Sequence, residues 1–218
     1  MISFQNVNKR YPDGYNALKN IDFTIEAGEM VLVTGHSGAG KSTLLRLIAA
    51  IERPTFGKVI VSGQDVIKLK KGAIPFLRRN IGLVFQDHKI LFDRNVFDNV
   101  MLPLEIRGVD VKVAVRRVRA ALDKVGLLKK EKAHPITLSG GERQRLCIAR
   151  AVVHRPSILI ADEPTGNLDV GYAKDIMDMF KSFHHVGVTV LIATHDATLL
   201  EDKQQYRILA LDHGELLV

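Results

Sequence analysis

The sequence predicts an α/β fold: a parallel-sheet core, an antiparallel β-rich edge and a helical subdomain. Three observations carry this prediction. Four short apolar runs, EMVLVTG, NIGLVFQD, PSILIADEP and GVTVLIATHD, stop abruptly in small or polar residues, as central strands buried on both faces do. Four stretches with helical patterning, KSTLLRLIAAI, VKVAVRRVRAALDKVG, GERQRLCIARAVVHR and AKDIMDMFKSFHHVG, are interspersed with them, and strands alternating with helices build parallel sheets. The early segments ISFQNVNKRY, NIDFTIEAG and GKVIVSGQDV instead alternate in strand period between Gly, Asp and Asn punctuation, the pattern of a β-rich edge.

Composition sets the outer limits. The chain has 218 residues, enough for one large domain or two closely packed lobes. Apolar content of 46% and charged content of 25% are ordinary for a soluble globular protein. The net charge of +7 leaves open a solvated basic surface or an anionic partner such as nucleotide, nucleic acid or a membrane face. Cys147 is the single cysteine, which excludes an intrachain disulfide and a cysteine metal cluster and suits a reducing cytoplasm. MISFQNVNKRY lacks the apolar stretch of a signal peptide, and the longest apolar runs fall far short of a membrane span.

Taken in order, the elements sort polar chemistry to one edge. The carboxyl ends of the four apolar runs carry Gly35 and its loop, Gln86, the Asp162–Glu163 pair and His195, and ligands of open α/β sheets bind beyond those ends. Between them, VKVAVRRVRAALDKVG places Val111, Val115, Val118, Leu122 and Val125 on one stripe, a core stripe with a wet basic face. YRILALDHGELLV reads as a hairpin turning at Asp212-His213-Gly214.

GHSGAGKST fits the phosphate-loop pattern from Gly35 to Ser42, between a predicted strand and a predicted helix. Backbone N–H groups of Gly35, His36, Ser37, Gly38, Ala39 and Gly40 are expected to cradle phosphate, with Thr43 following. Lys41 would reach the β- and γ-phosphates and Ser42 a Mg²⁺ position. Asp162 suits the carboxylate that holds Mg²⁺, and Glu163 the group that faces the attacking water. His195 is a candidate γ-phosphate sensor, against the ordinary role of a strand-end histidine as a structural residue. The Gln86 amide could join the Mg²⁺ or water shell, against a plain loop role. Tyr11 could offer adenine a flat face or belong to the core.

LSGGERQRLCIAR, at 138–150, is a second anion-grade helix start. One nucleotide has one γ-phosphate end, which Lys41 and its loop already fill. Ser139, Gly140 and Gly141 therefore point to a partner's ATP, in a two-fold dimer that γ-phosphate glues together.

Together the loop at 35–43, Gln86, LSGGE at 138–142, ILIADE at 158–163, NLD at 167–169 and His195 resemble the nucleotide-binding subunit of ABC ATPases, in order and across nearly the whole chain. The resemblance implies a P-loop ABC ATPase domain with ATP and Mg²⁺, a core of about 1–87 and 156–218, and a helical signature subdomain of about 88–155. It implies that Glu142 belongs to the signature, where Gln is frequent, and that Asn167, Leu168 and Asp169 form a loop coupling two sites across a dimer. Mg²⁺ would be held by Ser42, Gln86 and Asp162, and the catalytic set would be Glu163, His195, Gln86 and Lys41. FLRR and FQDH are similar to the cell-division branch of the family, whereas ADEPTGNLD is shared with lipoprotein-releasing and macrolide-type exporters. The cell-division branch implies an FtsX-like integral membrane partner docking near 86–108, where Phe92, Val96, Phe97, Met101 and Leu104 would offer apolar contact, against packing inside the helical lobe for about half of them. It also implies no nucleic acid, and a place at the cytoplasmic, anionic face of the bacterial inner membrane at the division site. An exporter ATPase remains the alternative, and a DNA- or ribosome-acting ATPase or a non-hydrolysing regulator the more distant ones.

Overall fold

The computed structural model describes residues 1–166, 169–196 and 206–217, with the side chain of Val170 excepted. The first half of the chain forms β1 (Ile2–Arg10), β2 (Asn16–Ile25), β3 (Met30–Thr34), α1 (Lys41–Ile48), β4 (Phe56–Val61), β5 (Gln64–Asp65), α2 (Ile74–Arg78), β6 (Ile81–Val84) and α3 (Val96–Ile106). The second half forms α4 (Val111–Lys124), α5 (Gly140–Val152), β7 (Ile158–Asp162), α6 (Val170–His184), β8 (Thr189–Thr194), β9 (Arg207–Asp212) and β10 (Glu215–Leu216).

Two sheets result. The edge sheet runs β2-β1-β4-β5 and is antiparallel throughout. The core sheet runs β10-β9-β3-β8-β7-β6; β9, β3, β8, β7 and β6 are parallel, and β10 pairs antiparallel with β9. The predicted hairpin is therefore present, but its first arm also joins the core sheet beside β3, from Val31↔Arg207 to Thr34↔Ala210. A period-two reading of RILALD gives a strand without saying which neighbour it takes.

Strands β3, β8, β7 and most of β6 are buried on both faces, which is why they are unbroken apolar runs, whereas β9 and β10 at the sheet edge are only partly buried. Met30, Leu32, Leu159, Ala161, Val190 and Ile192 face a core shared with α3, α4, α5 and α6. Val31, Val33, Ile158, Ile160, Leu191 and Ala193 face the opposite core, shared with α1 and the edge sheet. Strand period two thus sends alternate residues into two different packings.

The structure corrects two expectations among the helices. In α4, Val118 and Leu122, with Val125 just past its end, are buried, but Val111 is 70% exposed. It opens the helix directly after the Asp110 cap, whose side chain accepts from Val113 N, and Ala114 and Ala121 complete the buried stripe instead. The segment expected to offer an apolar docking surface contains α3, capped by Asn95 and carrying Pro103 in its interior. Val96 and Leu104 are fully buried and Met101 nearly so, while Phe97 packs partly against the same core. Of the five apolar residues named there, only Phe92 is exposed, at 53%.

Candidate functional site

β3, β7 and β8 lie side by side in parallel register, so their carboxyl ends deliver Gly35, Asp162–Glu163 and His195 to one edge. Between β3 and α1 the chain turns through Gly35, Gly38 and Gly40, all with left-handed φ. Two of these positions admit no side chain. A Cβ on Gly35 would lie 2.2 Å from the Leu211 carbonyl oxygen, and one on Gly40 2.5 Å from that of Ala17. No side chain caps the start of α1, so its first N–H groups stay available to an anion.

A cleft of about 410 Å³ opens over this loop, lined by Tyr15, His36, Ser37, Gly38, Gly40, Lys41, Ser42, Thr43, Gln86, Glu163 and His195. The Lys41 ammonium donates to the carbonyls of Gly35 at 2.7 Å and His36 at 3.1 Å, and lies 3.4 Å from a Glu163 carboxylate oxygen. The other Glu163 oxygen lies 2.9 Å from His195 Nδ1. Lys41 and Glu163 are almost buried, whereas the His195 side chain is 67% exposed. Glu163 holds φ 49° while its N–H donates to the Ala193 carbonyl at 2.9 Å. This left-handed kink takes its carboxylate off the strand and into the cleft, in a backbone conformation uncommon for a residue with a side chain.

Ser42 Oγ donates to Asp162 Oδ1 at 3.1 Å. Burial pushes the Asp162 carboxyl above its ordinary range, opposed by the Ser42 hydroxyl and helped by the neighbouring Glu163. Ser42, Gln86 and Asp162 together line an adjoining cleft of about 690 Å³. A half-buried carboxylate with a hydroxyl and an amide beside it is an all-oxygen donor set, the kind Mg²⁺ takes.

Other predicted residues lie elsewhere. Ala39 is fully buried, and its N–H is occupied by the His36 carbonyl at 3.1 Å. Tyr11 does not line the cleft; its hydroxyl donates to Glu52 at 3.0 Å and meets Thr43 at 3.2 Å. Tyr15 lines it instead, 49% exposed, with its hydroxyl on the Gly38 carbonyl at 2.6 Å and its ring stacked 6.4 Å from that of Tyr11. The turn YPDGY carries both aromatics, and of the two only Tyr15 lines the cleft.

Ser139, Gly140, Gly141 and Glu142 are not among the cleft residues of their own chain. Ser139 caps α5 in a reciprocal capping box with Glu142. A hydrogen bond from Lys130 and then one from the Ser139 backbone hold the Glu142 carboxyl below its usual range. Gly140 is exposed with open space where a Cβ would stand, and a Cβ on Gly141 would touch the Tyr172 ring. Asp169 caps α6, accepting from Tyr172 N at 3.1 Å, and Asn167 and Leu168 lie outside the described residues.

A family model described as "ABC transporter" matches residues 18–166. The cell division ATP-binding protein FtsE of Escherichia coli (strain K12) is 56% identical over 216 residues, covering 99% of this chain and 97% of that protein. FtsE of Bacillus subtilis (strain 168) is 43% identical over 214 residues, covering 98% and 93%. Among solved structures, the dimeric bacterial ABC transporter cassette MJ0796 superposes with a TM-score of 0.92 at 34% identity, covering 100% of this chain and 97% of that one. A dimeric post-hydrolysis state of the same cassette, bound to ADP and Pi, matches with the same TM-score at 33% identity and the same coverage.

Proposed function

Since the chain belongs to the ABC transporter family, we propose that it is the ATP-hydrolysing subunit of a bacterial cell-division complex, closing as a dimer around two ATPs to drive a membrane partner. The observation that supports this most is one cleft in which the phosphate loop, Lys41, Ser42, Glu163, His195 and Gln86 converge.

The geometry supports a role for each residue. Lys41 spends its ammonium on two loop carbonyls and Glu163, and an incoming phosphate would draw it away as a stronger partner. The loop amides and the uncapped start of α1 receive the phosphates. Glu163 takes the proton of the attacking water or orients it. His195, hydrogen-bonded to Glu163, holds that carboxylate in place and faces the γ-phosphate end. Tyr15, at the cleft wall beside the loop, is better placed than Tyr11 to stack on the base. Ser42, Asp162 and Gln86 would hold Mg²⁺, which when bound neutralises phosphate charge and fixes the nucleotide's orientation.

Dimerisation supplies what one chain lacks. Ser139 and Gly140 at this helix start are exposed, Gly141 is buried behind them, and all three lie outside their own cleft, which suits the helix start to a partner's γ-phosphate. The relatives named for cell division support a role in division, and the dimeric cassette structures support the two-fold arrangement. No described helix is long and apolar enough to cross a membrane, so membrane work would need a second protein. An FtsX-like protein docking near 86–108 fits this reading. Its contacts would be the exposed Phe92, Ile106 and Gln86 rather than the buried Val96, Met101 and Leu104. The site of action would be the cytoplasmic face of the inner membrane at the division septum. The likeness to an ABC transporter cassette favours the exporter ATPase as a second reading, since only the membrane partner differs.

Affinity capture of tagged Glu163→Gln protein from detergent-solubilised cells with Mg-ATP separates them. Recovery of an FtsX-like membrane protein is expected. Recovery of an exporter permease would move the function to transport, and ribosomes or DNA without a membrane protein would overturn both.

A further inference from the structure

The β9–β10 turn rests against the phosphate loop. Gly214 N donates to the Ala39 carbonyl at 3.1 Å, and the Gly35 backbone approaches Leu211 too closely for a Cβ. This contact brings together His36 from the loop and Asp212 and His213 from the turn, with one ligating atom of each inside 4.8 Å of the others. His36 Nε2 is 3.2 Å and His213 Nε2 3.9 Å from the same Asp212 oxygen, and the two imidazoles are 4.7 Å apart between centroids.

The protonation pattern is informative. His36 Nδ1 lies 2.6 Å from the Ser37 carbonyl oxygen. A carbonyl only accepts, so Nδ1 carries the proton. In a neutral ring Nε2 then aims a lone pair at the Asp212 carboxylate, which is repulsive unless a cation stands between them. An imidazole whose far nitrogen donates to a backbone carbonyl is the usual posture of a metal-ligating histidine. A second proton on His36 would satisfy that pair alone, leaving His213 Nε2 at 3.9 Å, beyond hydrogen-bond reach. Ligand atoms around a tetrahedral Zn²⁺ lie about 3.3–3.5 Å apart, from metal–ligand distances near 2.0–2.1 Å. The observed 3.2 and 3.9 Å bracket that spacing. All three side chains are 46–78% exposed, leaving room for water at the fourth position.

We propose that His36, Asp212 and His213 bind a divalent transition cation of the Zn²⁺ type, which clamps the leading end of the phosphate loop to the terminal hairpin. Imidazole nitrogens with one carboxylate select such ions over Mg²⁺, so the site is chemically separate from the oxygen-lined position at Ser42 and Asp162. It also stands whether or not the nucleotide roles above are right. Because His36 lines the nucleotide cleft, occupancy links metal supply to the mobility of the loop.

The test is Zn²⁺ titration by calorimetry on protein without a histidine tag or nucleotide, with Asp212→Asn and His213→Asn alongside. Asn tolerates the left-handed φ of 45° at position 213. Wild type is expected to take up one Zn²⁺ per chain, reversibly on adding EDTA, and either variant to bind at least about tenfold more weakly. Co²⁺ in place of Zn²⁺ should give wild type the visible absorption of a four-coordinate ion, and hydrogen exchange at residues 36–38 should slow on Zn²⁺ addition. No saturable uptake, or equal uptake by wild type and both variants, would overturn the proposal and leave a protonated His36–Asp212 ion pair as the whole of the contact.

Discussion

Glu163 sits where backbone strain, charge and position coincide. Its left-handed φ costs on the order of 1–3 kcal/mol, and its carboxylate is shared between Lys41 and His195. Glu163→Gln keeps the shape and removes the base, so turnover should fall by at least about a hundredfold, the scale of a lost general base, with ATP affinity preserved. Lys41→Ala removes the loop's cation and should lose ATP affinity instead. Calorimetric ATP binding and phosphate release on both variants check the pair, and unchanged ATP affinity in Lys41→Ala would sink the phosphate-loop assignment. At this scale much was legible in the sequence. Lys41, Ser42, Asp162 and Glu163 sit in motifs whose spacing is tied to strand ends; one cleft gathers Lys41, Ser42 and Glu163, and Asp162 lines the adjoining one, bonded to Ser42. That Tyr15 also lines the cleft was not legible, because both tyrosines flank one turn and the backbone there decides which ring faces the loop.

At the scale of elements, α5 links the signature to the Gln86 loop. Its N-terminus carries Ser139, while Arg150 near its other end donates to the carbonyls of His88 at 2.6 Å and Lys89 at 2.7 Å. Those two residues hold left-handed φ of 59° and 47° and lie two and three positions after Gln86, so one helix braces both devices. The Cys147 thiol between them is buried and pushed up to about 12, a packing group and not a nucleophile. Just past α5, burial first and then the Arg107 guanidinium lower His154 from 6.5 to about 4. Its folded value lies below its unfolded one, so its contribution to stability is present above pH 6.5 and is lost as pH falls toward and through about 4. The urea midpoint should therefore fall more steeply over that window in wild type than in His154→Gln. Parallel curves would contradict a buried neutral imidazole. Sequence periodicity found α4 and α5 but not α3. Pro103 interrupts the expected helix grammar, and short apolar runs look alike whether they face solvent or a core. That is why Val96, Met101 and Leu104 read as surface until α4 and α5 were packed against them.

At the scale of the whole molecule, a double-faced parallel sheet carries the catalytic edge, with an antiparallel sheet on one side and helices on the other. The alternation of runs and helices made this architecture legible. The parallel seat of β9 was not, since partner choice depends on pairs such as Val31↔Arg207, far apart in sequence. The placement of Ser139-Gly140-Gly141 outside its own cleft gives the account its central claim, a site completed only by a second chain. Sedimentation velocity of Glu163→Gln protein at saturating Mg-ATP tests it most directly. The account predicts a dimer with ATP that dissociates when ATP is replaced by ADP. A monomer at saturating Mg-ATP, in protein shown by calorimetry to be nucleotide-loaded, would contradict it.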